Sequence, residues 1–214
     1  MSNENHIAPG DQENLNLKNI FLNNKKYFIS FIIIFLLLLF GYFFYSDNKR
    51  DIKAKNSELY NLALIEYNKD NPNKSVDTMK NVIMFKDPTY SPLALYFLLD
   101  NNLLNNKKEI NNYFDILIND TPLDREVKNL IIYKKGLFNS NSASEEELLS
   151  IFKPLINTDN IWKSHSLYVL AEFFFSKNEK QKSKEFFEKI IEMKNSNQQI
   201  KIEAQKRLQR DFSA

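Results

Sequence analysis

The chain has 214 residues, with 29 Lys and Arg against 27 Asp and Glu, a formal net charge of +2, and no cysteine. Near-neutral charge leaves no electrostatic footprint for nucleic acid, and the lack of cysteine excludes disulfides, thiolate nucleophiles and Cys-based zinc sites. Two histidines, His6 and His165, are too few for a His-based metal cluster; three glycines are too few for phosphate-cradling loops, and neither G-x-x-x-x-G-K nor G-x-G-x-x-G occurs.

Residues 1–22 are polar and carry no hydrophobic period, so a disordered tail is expected there. The next stretch, "YFISFIIIFLLLLFGYFFY", holds 19 residues from Tyr27 to Tyr45, of which only Ser30 and Gly41 are not large and apolar. As a helix it would extend roughly 28 Å, close to the hydrocarbon thickness of a bilayer. Aromatic residues stand at both ends, where rings favour the membrane interface. A cleaved signal peptide has a shorter apolar region followed by small residues, whereas this run ends in bulky "FGYFFYS". The expectation is an uncleaved single-pass signal-anchor over 23–48, with its core at 27–45. Lys18, Lys25 and Lys26 precede it and Lys49, Arg50, Lys53 and Lys55 follow, so the flanking charges leave its direction open.

Residues 49–214 are long enough for one domain with a continuous core. Apolar residues recur at helical spacing between turn signals at 70–73, 86–88, 104–106, 119–122, 139–142, 157–160, 176–178 and 194–197, and sustained alternation is absent. The spacing predicts an all-α region built from helix pairs. "SASEEELL" predicts a helix start with Ser144 as N-cap and Glu147 completing a capping box. Four segments share an aliphatic-Tyr pair: "SELYNLAL", "LALYFLLD", "LIIYKKGL" and "HSLYVLAE". Their tyrosines, Tyr60, Tyr96, Tyr133 and Tyr168, stand 36, 37 and 35 residues apart. Such a period, one helix pair per repeat, indicates an α-solenoid.

"LYVLAEFFFSKNEKQKSKEFFEKII" resembles a tetratricopeptide repeat. Leu170 and Ala171 match its Leu-Gly pair, Phe174 its large aromatic, Asn178 its turn glycine, and Ser183, Phe187 and Ile190 its second-helix positions. The first repeat keeps Leu62, Ala63 and Ser75; the second has bulky Leu98 and Leu99; the third keeps Gly136 but carries Pro154 in its second helix. The expected architecture is therefore a transmembrane helix, a tetratricopeptide-like solenoid of about four helix pairs, and a capping helix with Ile200, Ala204, Leu208 and Phe212 along one side. This layout, over residues 20–212, resembles the YfgM-like inner-membrane proteins, ancillary subunits of the SecYEG translocon. The resemblance implies a cytoplasmic N-terminus and a periplasmic domain. It also implies contact with the translocon and with a PpiD-like membrane chaperone.

In such arrays the position two residues before the Leu-Gly pair faces the concave groove. The resemblance would place Tyr60, Tyr96, Tyr133 and Tyr168 on one inner surface, with Tyr67 and Phe175 beside them, as a candidate protein-binding trough. The alternative is that these rings pack within the solenoid. Trp162 and His165, three apart, are either a recognition spot or packing at a repeat junction. Glu145, Glu146 and Glu147 suit the positive end of a helix better than a cation site. No nucleophile–base pair or paired-carboxylate constellation is evident, so neither an enzyme nor a cofactor is expected. The reading is a membrane-anchored interaction module; the alternative is an envelope or divisome assembly scaffold with other clients.

Overall fold

The computed structural model describes residues 25–69 and 71–212, so the tail expected over 1–22 lies outside the described residues. The chain divides into two compact units, 1–55 and 56–214. In the first, Lys25–Phe44 is a helical stretch of 20 residues, long and apolar enough to cross a membrane, with none of its apolar window buried. It belongs to helix α1 (Lys25–Asn68), within which the boundary of the units falls.

The second unit is helical throughout, with no strand among its described residues. The end of α1 is followed by α2 (Pro72–Met84), α3 (Tyr90–Asp100) and α4 (Lys107–Asp115), which runs on into a π-helical turn (Ile116–Asp120). Then come α5 (Arg125–Asn139), α6 (Glu145–Ile156), α7 (Lys163–Ser176), α8 (Lys180–Glu192) and α9 (Gln198–Phe212). Neighbours in sequence are neighbours in space: α7 packs on α8, α8 on α9, α2 on α3 and α5 on α6.

Asparagine and aspartate set many of the helix ends, because a short polar side chain can replace a missing backbone partner. Asn106 Oδ1 accepts from Glu109 N at 3.1 Å, Ser144 Oγ from Glu147 N at 3.2 Å, and Asn197 Oδ1 from Ile200 N at 3.1 Å. Asp87 Oδ1 receives both Thr89 N and Tyr90 N at 2.8 Å. Asn102 and Asn178, at the ends of α3 and α7, adopt positive φ of 55° and 64°. The next amides reach back to Leu98 O (2.9 Å) and Phe174 O (2.9 Å), the wrap that an αL residue closes. Asn178 thus supplies the left-handed residue that ends α7.

Packing within the pairs depends on small residues at the crossings. Ala63 and Ser75 are fully buried, and Ser75 Oγ donates to Ala63 O at 2.8 Å. Gly136 on α5 faces the ring of Phe152 on α6 so closely that an added Cβ would overlap it. Leu98, Leu170, Ala171, Phe174, Ser183, Phe187 and Ile190 are buried as well. Leu62 departs from this set, remaining 40% exposed. The inward line of α1 runs through Asn56 and Ala63, seven residues apart and both fully buried, and Leu62 lies about 100° away from it. Pro154 falls within α6 and is exposed.

Three apolar clusters fill the unit. The first joins α1 to α4 with Ile131, the second α5 to α7 around Phe152 and Phe174, and the third α7 to α9 around Phe187 and Ala204.

Candidate functional site

The odd-numbered helices α3, α5 and α7 carry aromatic residues whose contacts pass from one helix to the next. Tyr96 on α3 lies under Lys134 of α5, whose Nζ is 4.6 Å from the ring centroid. Tyr133, beside Lys134, stacks on Trp162 at 5.1 Å and 22°, and meets His165 of α7 edge-on at 5.9 Å. Trp162 and His165, expected to share a side, have rings 5.4 Å apart, although Trp162 is the residue before the first turn of α7. The strip therefore reads Tyr96, Lys134, Tyr133, Trp162 and His165 across three helices.

Its polar atoms are under-satisfied. Tyr96 Oη, Trp162 Nε1 and His165 Nδ1 are buried without a hydrogen-bond partner, a condition that costs free energy until an acceptor or donor is supplied. Burial, and next the negative charge of Asp100, push the Tyr96 hydroxyl far above the ordinary tyrosine range; burial raises that of Tyr133. Both phenols therefore stay neutral, able to donate as well as accept.

The other expected groove residues are engaged by their own domain. Tyr60 sits 5.8 Å from Tyr90, and burial raises its hydroxyl pKa. Tyr67 packs edge-on against Phe97 at 5.2 Å and donates to Asn101 Oδ1 at 3.2 Å. Tyr168 meets Phe187 at 5.5 Å; burial and then the Glu172 carboxylate raise its pKa. Phe175 lies beneath the Arg207 guanidinium of α9, 4.4 Å from ring centroid to Cζ. The structure thus brings Tyr96 and Tyr133 into one strip, where both also pack against the apolar clusters, while Tyr60, Tyr67, Tyr168 and Phe175 lie outside it in contacts of their own.

Sequence reasoning passed over Lys134, Leu93 and Leu137. Leu93 is 43% exposed and Leu137 48%, and they stand three residues before Tyr96 and four after Tyr133, on the same helix faces. That spacing from a tyrosine already singled out was the available signal.

A cavity of about 600 Å³ lies elsewhere, between α4, α5 and α6, where Lys135 Nζ pairs with Asp115 at 2.6 Å. Glu145, first of the three glutamates, pairs with Lys182 at 2.8 Å. Among the described residues, no group of three or more His, Asp or Glu side chains is placed to hold a metal ion. What the strip offers chemically is partly covered aromatic area and a cation over a ring, with exposed Leu93 and Leu137 beside it. No protein-family model matches this chain, and comparison with curated proteins and with solved structures finds no match.

Proposed function

We propose that the chain is a membrane-anchored protein–protein interaction module. Lys25–Phe44 is the anchor, and the second unit is a tetratricopeptide-like solenoid of four helix pairs capped by α9. The observation that carries the reading is the Tyr96–Lys134–Tyr133–Trp162–His165 strip, flanked by exposed Leu93 and Leu137. Rigid aromatic rings lose little rotamer freedom on binding, and exposed Leu93 and Leu137 beside them add apolar contact area. The helix-turn-helix order and the small residues at the crossings of Ala63 with Ser75 and of Gly136 with Phe152 support the solenoid.

By its resemblance to YfgM-like proteins, the proposed setting is the bacterial inner membrane, with the N-terminus cytoplasmic and the domain periplasmic. The proposed partners are the SecYEG translocon and a PpiD-like membrane chaperone. Tethering raises the effective concentration of such partners into the millimolar range for short linkers, so weak contacts suffice.

Tyr96→Ala combined with Tyr133→Ala tests the strip. Crosslinked partner recovered from membranes should fall about thirtyfold, the loss expected of one hot-spot contact, with a smaller effect on the melting temperature. A large drop in melting temperature with capture unchanged would make these rings structural only.

A further inference from the structure

One helix of this chain already lies against a tyrosine-bearing face. α7 presents Tyr168, Glu172 and Phe175 at i, i+4 and i+7, and α9 covers them. Arg207 is the centre of that contact, its side chain only 12% exposed. Its Nε and Nη2 donate to the two carboxylate oxygens of Glu172 at 2.6 and 2.8 Å, and its Nη1 donates to Asp211. The guanidinium plane lies over Phe175, and the Phe212 ring meets Phe175 at 5.8 Å and Phe187 at 6.1 Å.

Beneath it α9 also lays an apolar stripe into the cluster around Phe187. Ala204 is the one residue of α9 that is fully buried, while Ile200, Leu208 and Phe212 are covered in part. A two-pronged arginine–carboxylate contact sandwiched against a ring is among the most geometry-selective contacts available to a side chain. It reads one residue type at one place on a helix, which is more than a terminal helix needs in order to shield a core.

We infer that this face of α7 is a helix-binding site selective for an arginine flanked by apolar residues, occupied in cis by α9. Partner helices with the pattern of Ile200, Ala204, Arg207, Leu208 and Phe212 compete with α9 for it. The inference rests on reading the tyrosine-bearing faces as a binding surface. Because α9 is joined to α8 by a short connection, it is present at high effective concentration, and a partner sees only the fraction of molecules in which it has lifted. Whatever loosens α9 therefore strengthens partner binding at this face.

The probe is a fluorescent synthetic peptide of residues 197–212, added to the full chain in detergent and followed by anisotropy. Two variants of the chain loosen the cis copy through different contacts, Arg207→Ser and Phe212→Ala. Both should bind the peptide at least about tenfold more tightly than the unaltered chain does, since the open fraction scales the apparent affinity. A peptide carrying Arg207→Ser should bind none of them. Three results would overturn the inference: neither variant binds the peptide; the altered peptide binds as well as the original; or both variants melt as a whole, with hydrogen exchange rising equally in α2 to α8. Failure here, with the Tyr96 and Tyr133 effect on partner capture intact, removes the competition by α9 and leaves the interaction module standing.

Discussion

Gly136→Ala should destabilise the second unit by about 3 kcal/mol, a fall in melting temperature of roughly 6–12 °C for a domain of this size. Two effects compete. In an exposed helix, replacing glycine by alanine gains about 1 kcal/mol of propensity. Here the new methyl would overlap the Phe152 ring, which is fully buried and touches Tyr133 at 6.4 Å between centroids, so it has little room to swing away. Steric overlap with a rigid ring outweighs the propensity gain. Trp162, the only tryptophan, stacks on that same Tyr133, so its fluorescence reports the site directly. Adding Phe152→Leu to Gly136→Ala should recover part of the loss, because a smaller side chain removes the overlap. A rise in melting temperature for Gly136→Ala alone would mean that α5 and α6 do not approach so closely.

The second large effect concerns the proposed anchor. Phe35 and Leu36 lie near the middle of the 20-residue stretch Lys25–Phe44, and both are exposed on their helix. Each arginine placed at the centre of a spanning helix costs about 3 kcal/mol on insertion scales, on top of the favourable residue lost. Phe35→Arg with Leu36→Arg should therefore abolish insertion. Alkaline phosphatase fused after Ala214 gives the readout: the unaltered fusion should be active and stay in washed membranes, and the double variant should be inactive and soluble. An unaltered fusion that is inactive would put the domain in the cytoplasm; a double variant that stays in washed membranes would mean the stretch does not anchor the chain by crossing the bilayer.

Much of the helical layout was legible, because period and punctuation are local properties. The turn signals fall between helices or overlap their end residues, as at 72–73, 119–120, 139 and 176, and Ser144 caps α6 as the S-x-x-E spacing predicts. In this glycine-poor chain asparagine marks several of the turns: Asn178 supplies an αL residue and Asn106 and Asn197 the caps. Other features depend on residues far apart in the chain and were not legible. The Arg207–Glu172 clamp joins positions 35 apart, and the amide pair of Asn111 with Asn139, bonded in both directions at 3.1 and 2.7 Å, joins positions 28 apart. Leu62 shows the same limit from the other side. Repeat spacing placed it at a packing position, but which face of α1 is covered is decided by the helices that arrive later. The tyrosine period was real in the sequence, yet only Tyr96 and Tyr133 fall in the shared strip, because Tyr168 and Phe175 are covered by a helix that an ion pair and an apolar cluster hold.

The most direct test of the interaction module is a photo-crosslinking amino acid placed at position 93 or 137, the exposed residues beside Tyr96 and Tyr133, in intact membranes. The module reading predicts discrete adducts with translocon or membrane-chaperone subunits from both positions, lost when Tyr96→Ala and Tyr133→Ala are added. No adducts from either position, or adducts that survive the double substitution unchanged, would contradict it.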